Sequence, residues 1–159
     1  MYKTILISLL ATTFVACSSN SSLKYFKKEE IQARAIQYTK KTDILEKNEP
    51  KVLFIATYLN NIKSKQFKSK QEKFVISTYF TDAQEQDLLK RGYKLSLNDK
   101  EALQIKEINK NDPLYGPLLA NNHWGKYYLV EFDEVKDVYE LKLVLSKTAS
   151  TSGQLKFEK

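Results

Sequence analysis

The chain has 159 residues, 42% hydrophobic and 28% charged, with 4 Gly, 3 Pro, one Cys and one His. This composition excludes collagen-like, disordered and disulfide-scaffold classes, the single Cys removes every multi-cysteine zinc or iron–sulfur site, and the single His every site that needs two histidines. Lys and Arg total 26 against 19 Asp and Glu, a net charge of +7 that eases encounter with anionic partners and says nothing about fold.

Met1-Tyr2-Lys3 precedes an uncharged stretch from Thr4 to Ala16, and Cys17 with the polar run Ser18-Ser19-Asn20-Ser21-Ser22 follows. The uncharged stretch falls short of the ~20 residues that span a bilayer and matches the apolar region of an export signal. A cut after Ala16 by the ordinary signal peptidase is disfavoured, because Phe14 occupies the place where that enzyme wants a small residue. Phe14-Val15-Ala16-Cys17 instead resembles the lipobox of bacterial lipoproteins, with Phe14 where that family usually has Leu. The resemblance implies removal of residues 1–16, lipidation of Cys17 as the new N-terminus and, with Ser18 rather than Asp next in line, sorting to the outer membrane. Several acyl chains anchor stably, since each buried CH2 contributes ~0.8 kcal/mol, so Cys17 is expected to be an anchor and not a catalyst. Residues 17–30 then read as a flexible tether, Ser-rich and then lysine-rich through Lys24, Lys27 and Lys28.

Residues 31–159 are expected to form a single domain of short β-strands. Ile36 and Tyr38 mark a first strand, and Lys51–Asn60 is apolar enough for a central strand buried on both faces. Phe74, Ile76, Thr78 and Phe80 alternate with Val75, Ser77 and Tyr79. Thr81 to Glu85 has the form of a capping box, Asp82 as N-cap and Glu85 three residues on, predicting one short helix through Leu88 and Leu89 that stops at Gly92. Tyr93, Leu95 and Leu97 form a strand, Asn98-Asp99 a turn, and Ala102–Ile108 the partner of a hairpin. Lys110 to Asn122, broken by Pro113, Gly116 and Pro117, is loop. Tyr128, Val130 and Phe132 mark the next strand, Tyr139 to Leu145 another, and Leu155 with Phe157 a last short one. About seven to eight strands with no βαβ alternation predict a mainly β chain, an immunoglobulin-like antiparallel β-sandwich with one short helix. Phe54, Phe74, Ile76, Leu95, Val130, Phe132 and Leu143 are its expected core.

Gly125-Lys126-Tyr127-Tyr128-Leu129 resembles the start of immunoglobulin strand F, Gly-x-Tyr-x-Cys, with Tyr127 in the tyrosine-corner place and Leu129 in that of the cysteine. Alternation through Tyr128, Val130 and Phe132 turns Tyr127 and Leu129 to the opposite face unless a bulge shifts the register. With the lipobox, the chain is similar to the small immunoglobulin-like lipoproteins of bacterial surfaces, whose molecular roles are mostly unassigned.

Catalytic constellations are not expected. His123 has no Gly-x-Ser-x-Gly partner, Asp133 and Glu134 point to opposite faces of a strand, and glycines at 92, 116, 125 and 153 are too scattered for a phosphate loop. The densest charge feature is Lys63, Lys65, Lys68, Lys70 and Lys73 against one acid, Glu72, with Phe67 expected to be exposed among them. It reads first as a solvated loop guarding a strand edge, and otherwise as a clamp for anionic headgroups or glycans. Leu114-Tyr115-Gly116-Pro117-Leu118-Leu119 reads as a sandwich-end plug or as a partner-binding knob.

The expected function is that of a lipid-anchored, non-catalytic binding or structural module of the cell envelope, without metal or cofactor. Its partners would be the membrane and an envelope protein or anionic glycan, not nucleic acid. The alternatives are an anionic glycolipid binder, a subunit of an envelope assembly complex, and a weak hydrolase. Cys17→Ala should abolish incorporation of a fatty-acid probe into the chain in growing bacteria; equal labelling of the variant would remove the anchor.

Overall fold

A computed structural model describes residues 30–82, 84–119 and 125–159. Cys17, the tether up to residue 29, His123 and Trp124 lie outside the described residues. Among those described, nine strands form two antiparallel sheets. The first sheet runs in the order β1 (Thr39–Glu46), β2 (Glu49–Tyr58), β3 (Glu72–Phe80), β7 (Lys126–Phe132), β6 (Gln104–Ile108). The second runs β5 (Lys100–Glu101), β4 (Lys94–Leu97), β8 (Glu140–Ser146), β9 (Ser152–Glu158).

The chain is therefore mainly β and builds the expected antiparallel sandwich. Ile44, Val52, Phe54, Phe74, Ile76, Val130 and Phe132 of the first sheet meet Leu95, Leu97, Leu141, Leu143, Leu155 and Phe157 of the second in one core. Every residue expected in the core is buried there. At one end of this core the Phe74 ring stacks on Tyr58 at 4.9 Å and meets Phe157 at 5.3 Å and Phe132 at 5.9 Å edge-on. Where the sheets' edges approach, a Cβ on Gly153 of β9 would lie 2.7 Å from the Ile44 side chain of β1, so this crossing needs a residue without one. The two-sheet architecture is that of immunoglobulin-like domains, while the order 1-2-3-7-6 and 5-4-8-9 is not the ABED and CFG order of those domains.

Local assignments differ in three places. Residues 30–37, expected to begin a strand at Ile36, are a helix, α1. Gln32, Ala33, Arg34 and Ala35 are good helix formers, and Ile31, Ala35 and Tyr38 share one face at helical spacing and pack inward, leaving Ile36 73% exposed. The first strand follows as β1, whose Thr39-Lys40-Lys41-Thr42-Asp43 carries too little apolar alternation to be seen in sequence. Lys47 and Asn48, at φ 51° and 67°, turn it tightly into β2.

Among the described residues after Asp82, 84–92 form turns and not the expected helix. The Gln86 side-chain amide binds both the N–H and the C=O of Phe80 at 2.9 Å, holding the chain beside the end of β3. Leu88 is then drawn fully into the core, and Asp87, not Asp82, caps a single turn by accepting the N–H of Leu89 and Lys90. The hairpin after β4 keeps its Asn98-Asp99 turn but has only Lys100–Glu101 as its return strand. The chain then crosses at Leu103 to the other sheet, where β6 pairs with β7. As the alternation through Tyr128, Val130 and Phe132 predicts, β7 pairs with β3 without a bulge, so Tyr127 and Leu129 face away from the sandwich core and the strand-F likeness does not extend to their placement.

Phe132 is fully buried between the Phe74 ring and the rest of the core. Phe132→Ala should cost ~3–5 kcal/mol of unfolding free energy in a denaturant titration; a loss under about 1 kcal/mol would contradict this register.

Candidate functional site

The outer face of the first sheet is also apolar. Val75 of β3, Tyr127 and Leu129 of β7 and Ile108 of β6 form a second cluster there. Three segments cover it: α1 through Ile31 and Ala35, the turn after β2 through Leu59, Ile62 and Phe67, and the loop 109–119 through Leu114, Tyr115, Leu118 and Leu119. The sheet thus lies between two apolar layers.

The cover leaves a half-open groove of about 520 Å³ between α1 and the 109–119 loop. Its floor is Ile55, Thr57, Val75, Ser77 and Tyr127, and its walls are Gln32, Ala35 and Ile36 on one side and Pro117, Leu118 and Leu119 on the other, with exposed Lys110 also lining it. Hydroxyls are placed at the bottom. Thr39 donates to the Ala35 carbonyl at 2.8 Å and lies 2.7 Å from the Thr57 hydroxyl, so Thr57 is the donor in that pair and its oxygen keeps accepting capacity. The loop wall is held in shape by Asp112, whose carboxylate accepts the N–H of Leu114 and Tyr115 at 2.9 and 2.8 Å. A Cβ on Gly116 would stand 2.4 Å from the Lys110 carbonyl oxygen, so only glycine permits this turn. Burial pushes the Tyr115 phenol above its ordinary value.

Residues 114–119, read as a sandwich-end plug or else a partner-binding knob, lie instead over the outer face of the first sheet as a wall of this groove, with Leu119 buried. Thr57 and Ser77 escaped the sequence reading because single hydroxyls alternating with apolar residues look like the solvated face of a strand. Only the cover contributed by distant segments makes them a floor.

The five lysines of the 63–73 run divide. Lys63, Lys65, Lys68 and Lys70 are exposed. Lys73 belongs to β3 and pairs with Glu131 of β7 at 2.7 Å, both half-buried or less exposed than that. Phe67, expected to be exposed, is 3% exposed and anchors the turn from below, 6.3 Å from the Tyr115 ring. The Asn60 side chain ties the turn's two ends, donating to the Ser69 and Gln71 carbonyls and accepting the Lys73 N–H. Arg34 of α1 donates to the Lys63 carbonyl at 2.9 Å and pairs with Glu30 at 2.6 Å.

Glu72, which sequence alone places among the lysines, is 1% exposed at the open end of the sandwich. Its carboxylate accepts the Tyr58 hydroxyl at 2.6 Å and the Val135 N–H at 3.2 Å, and pairs with Lys159 at 2.6 Å. Burial first, and then the facing carboxylate, push the Tyr58 phenol well above its ordinary value. Asp133 and Glu134 are exposed, as expected, with Glu134 3.5 Å from Lys136. Burial works to raise the Asp87 carboxyl, but the N–H groups of Lys90 and Leu89 and the Lys126 ammonium outweigh it and hold it below its ordinary value.

No family of known proteins, no characterised protein and no solved structure matches this chain.

Tyr58→Phe deprives a buried carboxylate of its shortest hydrogen bond and should cost ~1–3 kcal/mol near neutral pH. The wild-type phenol, raised in the fold, contributes stability that is full below its ordinary value of 10.0 and lost as pH rises beyond it. The gap between wild type and variant should therefore close at alkaline pH, which denaturant midpoints across a pH series would read; a gap that widens would contradict the assignment.

Proposed function

We propose that the chain is a lipid-anchored lipoprotein of the bacterial cell envelope, tethered to the outer membrane through Cys17, whose sandwich is a non-catalytic binding module. Its ligand is a small amphiphile whose apolar part lies in the groove between α1 and the 109–119 loop. The groove carries this reading. A concave site of about 520 Å³ is in the range that takes one small organic molecule. Its walls are aliphatic, and the Thr57 and Ser77 hydroxyls on its floor supply the few convergent polar groups that fix a ligand's orientation.

Structural bonds occupy the buried and half-buried carboxylates. Glu72 is engaged by Tyr58, Val135 and Lys159, and Asp87 by two backbone N–H groups and Lys126, so these groups favour a binding module over a hydrolase. The helix wall of the groove, described from residue 30 on, lies 13 residues from Cys17 in sequence, which keeps a Cys17-anchored groove close to the lipids that would supply such a ligand.

The chain from residue 18 onward, titrated with a dansylated fatty acid, should show saturable binding with one site. Ser77→Leu, which fills the groove floor, should weaken that binding about tenfold or more while leaving the thermal midpoint within a few degrees. Non-saturable binding, or equal affinity of the variant, would overturn the groove as the site.

A further inference from the structure

We infer that Lys63, Lys65, Lys68 and Lys70 form a preorganised basic face that seats the domain on the anionic phospholipid headgroups of the membrane holding its anchor, and so fixes which side of the sandwich looks at the bilayer. The inference builds on the Cys17 anchor proposed above.

Charge is the first support. Among the described residues none of these four lysines is ion-paired, and the acid nearest in sequence, Glu72, is buried and paired with Lys159. Lys73, committed to Glu131, is not part of the face. Four uncompensated cations within eight residues make a patch whose attraction to an anionic surface acts within a Debye length of ~8 Å at physiological salt.

Rigidity is the second. Surface lysines usually sit on loops that must be ordered on binding, at an entropic cost. Here Phe67 plugs the turn into the outer apolar cluster, Asn60 clamps its ends, and Arg34 holds the Lys63 carbonyl. The backbone that carries the lysines is thus already ordered.

Position is the third. Through Arg34 the turn is joined to Glu30, the residue at which the chain enters the described domain. Cys17 precedes Glu30 by 13 residues, a reach of at most ~45 Å. The chain between them adds Lys24, Lys27 and Lys28. An anchor at Cys17 holds the basic turn at high effective concentration over the leaflet, whereas Lys94, Lys100 and Lys156 stand on the other sheet. Seated in this way, the domain also brings the groove, which lies in the same outer layer, beside the bilayer.

The test is acetylation footprinting of the full chain in phosphatidylcholine vesicles with and without phosphatidylglycerol. In the anionic vesicles Lys63, Lys65, Lys68 and Lys70 should label threefold or more slowly, recover at high salt, and leave Lys94, Lys100 and Lys156 unchanged. In Cys17→Ala chains, salt-sensitive flotation with anionic vesicles should fall about tenfold when Lys65, Lys68 and Lys70 are all Gln, with the thermal midpoint held within about 2 °C. Anchored flotation with both vesicle types but no selective protection would overturn the basic face and leave the anchor standing. Protection and flotation only with anionic vesicles would support the face and overturn the anchor, and flotation with neither would overturn both.

Discussion

The constraint on which this fold depends is the burial of β3 on both of its faces. Phe74, Ile76 and Phe80 point into the sandwich, while Val75 and Ser77 point the other way and are nearly as well shielded. An antiparallel sheet can leave one face to water, but β2, β3 and β7 place Thr57, Val75, Tyr127 and Leu129 on the second face, and that much apolar surface needs a cover. The second sheet is already spent on the inner side. Helix α1, the turn after β2 and the 109–119 loop supply the outer layer, and both the groove and the lysine turn belong to it.

This explains why the lysine turn is ordered and why a groove exists beside it. Phe67 and Ile62 anchor the turn because they complete the hydrophobic cover, and the lysines are held outward as a consequence of that packing. Between α1 and the loop wall the cover does not close: α1 is tied to β1 through Thr39, while the loop wall is held in its own shape by Asp112. Structural packing and surface chemistry are thus coupled through the same few residues.

The open end of the sandwich raises a different problem. A carboxylate buried without partners is costly, and a buried ion pair stabilises only when its geometry is good and its remaining lone pairs are occupied. Glu72 meets both conditions through Tyr58, Val135 and Lys159, which come from β2, from the segment after β7 and from beyond β9. The pair therefore links both sheets at the end where Phe74, Phe132 and Phe157 meet. Removing Glu72 from the lysine run also leaves that run more basic at its surface than its sequence indicates.

Period-two alternation with a strongly apolar face was enough to determine β3, β4, β7 and β8, and a nearly all-apolar run to determine β2, and with them the whole expected core, because a strand whose inner residues are Phe, Ile and Leu has one stable orientation. It also determined the class of the fold, and the uncharged stretch Thr4–Ala16 gave the expectation of an export signal, to which the resemblance of Phe14-Val15-Ala16-Cys17 to a lipobox added that of an anchor. Tertiary structure decided the rest for identifiable reasons. β1 is an edge strand whose charged residues face water, so its sequence carries little alternation, and α1 was hidden by two apolar residues at strand spacing. The turn at Asp87 replaced a helix because Gln86 binds the Phe80 backbone, a contact no local pattern encodes. Whether Phe67, Glu72 and Lys73 joined the lysines or left them depended on partners far along the chain, Tyr115, Lys159 and Glu131. The groove exists only because three segments distant in sequence cover one face of one sheet incompletely, and local pattern carries no record of where such covers stop.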